Sequence, residues 1–230
     1  MNQRTSPLVT EQSPLVMEHV VKALWMNHRG ASMLLSDGDV ESATPWFQQG
    51  LQIMSKLALP NENLSSAKIP IHKVVSVCAD IDTPLANSKG FIYSKAFFFN
   101  QGATINERDI HSYTAIMTFN LALSYHLGGL SSNDGGRLLL SAKGLYERTL
   151  ELLNREWTYD CSNVVIASMN NLACIFSELA IADDAQQVMC LLMLFIREKR
   201  VRTDTMSSED MRDVVLNFSL LRYPSCAGAA

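Results

Sequence analysis

From Leu15 to about Ser36, apolar residues recur at helical spacing (Val20, Val21, Leu24, Trp25, Ala31), with His28 in the same register. Asp37-Gly38-Asp39 then supplies a turn, because glycine tolerates left-handed dihedrals and Asp39 can cap the helix that follows. That second helix is expected from about Val40 to Ala58, ending before Pro60. Residues 59–108 break the period: Pro60, Asn61, Asn63, Pro70, Pro84, Asn87 and Gly90 interrupt it, while Val74-Val75-Ser76-Val77 and Phe91-Ile92-Tyr93 read as short strands. Phe97-Phe98-Phe99 would continue the second strand. The insert is thus a two-stranded hairpin leaning on helices, or a long loop tacked down by its aromatic residues.

Helical spacing resumes at about Asp109 and runs to Leu127 through Ile116, Phe119, Asn120 and Leu123, with Gly128-Gly129 as the stop. A helix is expected over Arg137–Arg155 and another, capped by Ser162 or Asn163, to about Leu179. Asp183-Asp184 opens the next, which closes on Arg197, Lys199 and Arg200, the order of charge that the helix dipole favours. Ser207-Ser208-Glu209 starts the last helix, to about Leu221. The expected organisation is a disordered arm over 1–14, a helical domain over 15–222 with the insertion at about 59–108, and a disordered tail over 223–230.

A second pattern overlies the first. Ala31, Ala122 and Ala173 each precede a large residue by three (Leu34, Tyr125, Phe176). Ala43 and Ala185 follow the first and third of these alanines after twelve residues, and Ala142 follows the second after twenty. Each of these second alanines leads by four to Phe47, Tyr146 or Met189. Small residues in this recurrence let paired helices cross closely, as in stacked helix–turn–helix repeats.

The unit resembles the tetratricopeptide repeat, above all the kind found in kinesin light chains. Its Leu-Gly-x-x-Tyr half is matched by Leu121-Ala122-x-x-Tyr125 and Leu172-Ala173-x-x-Phe176, and more loosely by Gly30-Ala31-x-x-Leu34. Its Ala-x-x-x-Phe half is matched at Ala43–Phe47, Ala142–Tyr146 and Ala185–Met189. The repeats lie 91 and 51 residues apart, the tryptophan position holds Asn27, Thr118 and Met169, and the closing proline is missing. The resemblance implies a mainly all-α, TPR-like superhelix of antiparallel helix pairs. It also implies a scaffolding module that binds a peptide or partner helix in a groove lined by the first helix of each pair. The alternative is an enzyme, or an enzyme-regulatory helical domain, with a site near the 59–108 insertion.

Asn120 and Asn171 occupy the same place in two repeats, each two residues before the small alanine. A side-chain amide is both donor and acceptor, so it can hold a peptide backbone without reading its sequence, or satisfy a neighbouring helix backbone. With Asn27 and Tyr125 they form the candidate partner-binding set. Chaperone-type domains of this fold clamp acidic carboxy-terminal tails with basic residues. The absence of any Lys or Arg between Trp157 and Ile196 speaks against such a ligand here.

Charge and composition narrow the class further. A net charge of −4 and scattered Lys and Arg oppose general nucleic-acid or membrane-surface binding. The longest apolar run, Val188–Ile196, is about half of a membrane span. Met1–Pro14 has no secretory layout. Five cysteines lack any framework spacing, and Cys174 and Cys190 fall in apolar helical patterns where buried, reduced thiols are expected, so a cytoplasmic location follows. Gly128–Gly136 lacks the phosphate-loop pattern, His111 and His126 are too far apart to pair as helical metal ligands, and His126 reads as a helix-surface or interface residue. No metal, cofactor or catalytic constellation is expected, and the partner is another protein or peptide.

Overall fold

The computed structural model describes residues 14–57, 75–76, 92–99, 107–132, 135–155, 161–199 and 207–222. The expected arm and tail therefore lie outside the described residues, apart from Pro14 of the arm.

Within them the chain is mainly helical, with α1 (Pro14–Asp37), α2 (Val40–Leu57), α3 (Glu107–Ser131), α4 (Gly135–Arg155), α5 (Ser162–Glu178), α6 (Ala182–Lys199) and α7 (Ser208–Arg222). Each helix packs on the next in sequence, and the odd-numbered helices also touch one another, α1 on α3, α3 on α5 and α5 on α7. Two short strands, β1 (Val75–Ser76) and β2 (Phe97–Phe98), pair antiparallel with Val75 opposite Phe98. The expected strand at 91–93 does not extend over Ile92 and Tyr93, and Phe91 lies outside the described residues. Ile92 and Tyr93 are buried without regular structure, and pairing falls on the later aromatic run.

Local chemistry explains the helix ends. Gly38 takes φ +62°, and the Asp39 carboxylate accepts the Ser42 N–H at 2.9 Å, the expected turn and cap. Those hydrogen bonds to Ser42 hold the Asp39 carboxyl below its ordinary range. Ser207 caps α7, accepting the Asp210 N–H at 3.0 Å. At α5 the cap position falls on Cys161, which makes no side-chain cap bond, so Ser162 and Asn163 lie inside the first turn rather than before it. The α5 carboxy-terminus closes in a Schellman arrangement: Ile181 N–H reaches Phe176 O at 2.8 Å and Ala180 N–H reaches Ser177 O at 3.1 Å. Ala180 takes φ +60° there, a position usually held by glycine.

Gly128-Gly129 does not stop α3, which continues to Ser131. The glycines serve close approach instead. A Cβ on Gly129 would sit 3.0 Å from the Leu139 side chain, and one on Gly135 would overlap the Gly129 carbonyl. The repeated alanines do the same work at the other crossings: Ala31, Ala43, Ala122, Ala142 and Ala173 are fully buried and Ala185 nearly so. Between α1 and α2, a Cβ on Gly30 would meet the Phe47 ring at 2.9 Å.

The helices α3 and α5 are buried almost all round, over 115–124 and 162–176 except Met169, because they lie in the middle of the odd-numbered layer. Tyr93, Ala96, Phe97 and Phe98 belong to the same core as Phe47, Phe119, Tyr146 and Ile166. Cys174 is buried and its thiol pushed up to about 12 by that burial, whereas Cys190, expected in the core, is exposed on α6. No described helix is long and apolar enough to cross a membrane.

Candidate functional site

Three of the four candidate residues converge on one feature, the chain's own segment Ile92–Phe98. It crosses the odd-numbered helix layer without helix, turn or bend before β2. On α5, the Asn171 amide accepts the Tyr93 N–H at 2.8 Å and donates to the Tyr93 carbonyl at 3.0 Å. On α3, the Asn120 amide does the same for Phe97, accepting its N–H at 2.9 Å and donating to its carbonyl at 2.8 Å. On α1, Asn27 donates to the same Phe97 carbonyl at 3.1 Å and accepts the second Asn120 N–H at 2.9 Å. Adjacent packed helices stand roughly 8–10 Å apart, and four strand residues reach about 13 Å. A step from Tyr93 to Phe97 therefore spans one helix of the layer with slack.

The Asn171 amide is fully committed. Asn171 spends its second donor on the Tyr146 hydroxyl at 2.9 Å and its second acceptor site on Asn170 Nδ2 at 3.2 Å. Asn217 of α7 then donates to Asn170 Oδ1 at 2.8 Å, extending the polar row to a fourth helix. All five asparagines are fully buried, so an unmade bond at any of them would be costly. Burial raises the Tyr146 hydroxyl well above its ordinary range, and the Asn171 bond partly offsets this.

Side chains of the segment fill the space between the helices. The Tyr93 and Phe97 rings stack with centroids 5.6 Å apart, and the Phe119 edge meets Phe97 at 4.9 Å. Phe98 meets His28 of α1 at 5.2 Å. Ala96 is fully buried. Lys95 turns to α7, its Nζ lying 2.8 Å from both Asp210 oxygens, with side-chain exposures of 16% and 7%. Ser207 donates to Asp210 Oδ2 at 2.7 Å, so the carboxylate is held in place before it meets the cation.

Tyr125 lies apart from this row. It is half-buried, and its hydroxyl accepts a hydrogen bond from Gln48 of α2 at 2.6 Å. His126 is buried between α3 and α4 rather than on a helix surface. Its ring stands edge to face with Tyr146 at 6.0 Å, and neither nitrogen has a hydrogen-bond partner.

Sequence reasoning missed Asn217, Asn170, Lys95 and Asp210. A signal existed for the first: Asn217-Phe218-Ser219 repeats the polar–large–small triplet of Asn120-Leu121-Ala122 and Asn171-Leu172-Ala173. Among the described residues no group of three or more His, Cys, Asp or Glu is placed to hold a metal. No protein-family model, curated protein or solved structure matches the chain.

Proposed function

We propose that this protein is a scaffolding module whose helix pairs stack as a TPR-like superhelix and whose α1, α3, α5 and α7 form a groove for an extended polypeptide. One observation carries the reading. Asn120 and Asn171, at equivalent places in two repeats, each take both the N–H and the carbonyl of one residue in a crossing segment. Such a grip recognises backbone, so it suits any extended chain whose side chains fit between the rungs. Burying and ordering a row of amides is expensive in a fold that needs only apolar packing, and a groove for polypeptide gives the row a use. The chain's own 92–98 segment lies in that groove.

Panning the full-length chain carrying Lys95→Ala, which loosens the resident segment from Asp210, against a displayed library of random peptides, followed by cross-linking of the enriched ones, tests the reading. Cross-links on α1, α3, α5 and α7 are the expected result. No enrichment, or cross-links confined to α2, α4 and α6, would overturn it.

A further inference from the structure

The resident segment also specifies a ligand. Resting on the groove reading above, we propose that Ile92–Phe98 is an internal pseudo-ligand, and that the external partner is an extended peptide repeating its pattern. That pattern is an aromatic residue, a cation two positions on, a small residue next, and then a second aromatic residue.

Each position follows from a contact. The first and last positions are set by Asn171 and Asn120, which fix the backbone of Tyr93 and Phe97, while the stacked rings of these two residues fill the gap beside Phe119. A cation is called for at the third because Asp210, almost wholly buried and already held by Ser207, accepts both bonds of the Lys95 ammonium. The fourth must be small because Ala96 has no exposed surface. Ser94, half-buried between these positions, makes the least demand.

The same features make the segment exchangeable. It has no helix or turn of its own over 92–96, and it is fastened largely by side chains reaching from the helices. The helices pack directly on one another, α1 on α2 through to α6 on α7, so the frame has contacts that do not pass through the segment. A partner of the same pattern would restore the contacts described for Tyr93, Lys95, Ala96 and Phe97. Exchange then turns on concentration: a tethered segment competes at an effective concentration of up to roughly millimolar, which masks a free peptide until the resident is weakened.

This predicts opposite effects for one substitution made in two places. A fluorescently labelled peptide with the sequence of residues 92–98 would be titrated by anisotropy against the full chain. Lys95→Ala in the protein weakens the resident, so the unaltered peptide should bind on the order of tenfold more tightly than to the parent chain. Alanine in place of lysine in the peptide should weaken its binding by a similar factor. Asp210→Asn in the protein should remove most of the difference between the two peptides. A Lys95→Ala protein that binds the unaltered peptide no better than the parent would overturn the proposal.

Amide hydrogen exchange on the unmodified protein supplies a second measurement that needs no variant to fold. The Tyr93 and Phe97 amides should exchange at least about a hundredfold faster than those of Phe119 and Ile166, through local release of the segment. Equal protection at all four would make the segment a permanent part of the core and end the proposal. Library peptides that cross-link to the odd-numbered helices but lack the pattern would defeat this inference while leaving the groove intact; no library binding at all would defeat both.

Discussion

The side chain of Asn171 serves Tyr93 as a neighbouring strand would, taking its N–H at 2.8 Å and giving a hydrogen to its carbonyl at 3.0 Å. The two residues are 78 positions apart, so the bond ties the insertion to the fifth helix across most of the fold. The segment it holds has a ladder partner over β2, while Tyr93 relies on α5 for its main-chain bonds to Asn171.

Asn171→Ala should therefore be the most costly of the amide substitutions. It removes the Asn171 bonds to the Tyr93 N–H and carbonyl and to the Tyr146 hydroxyl, at about 1–3 kcal/mol for each buried hydrogen bond lost. Asn27→Ala should cost less, because the Phe97 carbonyl keeps its bond from Asn120. Urea unfolding of Asn27→Ala, Asn120→Ala and Asn171→Ala would rank them. A ranking with Asn27 worst would contradict the bonding described.

The apolar period that made helices legible is strongest in α2 and α4 and nearly absent from α3, which is buried almost all round, and at the end of α3 packing overrode local chemistry. Gly128 and Gly129 look like a stop, yet they permit the close α3–α4 crossing. The asparagine row was half legible, since Asn120 and Asn171 share a register and Asn217 repeats it in a less regular context. The segment that the row holds was not legible at all. Tyr93 and Phe97 have no helical period, and their amide partners lie 78 and 23 residues away, so nothing local announces the pairing. Lys95 and Asp210 are further apart still, at 115 residues.

Ala180 offers a stabilising change. It holds φ +60° at the end of α5, is exposed, and therefore bears a Cβ cost in a conformation that glycine takes freely. Ala180→Gly should raise stability by about 1 kcal/mol, offset in part by the greater freedom of glycine in the unfolded chain. Thermal melting would show the gain, and a lower melting temperature would mean that the left-handed strain is relieved some other way.

Two glycine-to-alanine changes should move in opposite directions. Gly144 sits exposed in α4 with nothing within 4 Å of an added Cβ, so alanine there should stabilise by about 0.5–1 kcal/mol through helix propensity alone. Gly30 is buried on α1, where the same methyl would press on the Phe47 ring at 2.9 Å and the Ala43 carbonyl at 3.1 Å. Gly30→Ala should destabilise by about 1–3 kcal/mol, the overpacking cost exceeding the propensity gain. Paired melts decide the matter, and a stabilised Gly30→Ala would show that α1 and α2 can separate freely.

His126 predicts how stability should depend on pH. Burial alone pushes its pKa down from 6.5 to about 3, so the folded protein keeps the ring neutral where the unfolded chain would protonate it. Between these two values the unfolded state binds more protons, so stability falls as pH drops below about 6.5 and is fully present only above it. Passing from pH 7.5 to 5.5 should cost about 1.4 kcal/mol from this residue, taken from the ordinary histidine value. His126→Leu removes the titrating ring together with two unpartnered buried nitrogens. It should flatten the stability profile over that window, and lifting the burden of an unpaired polar group should offset part of the packing lost against Tyr146. Urea midpoints at the two pH values, for parent and variant, would measure the difference directly. An identical loss in both proteins would place the pH sensitivity on some other group and return His126 to a purely packing role.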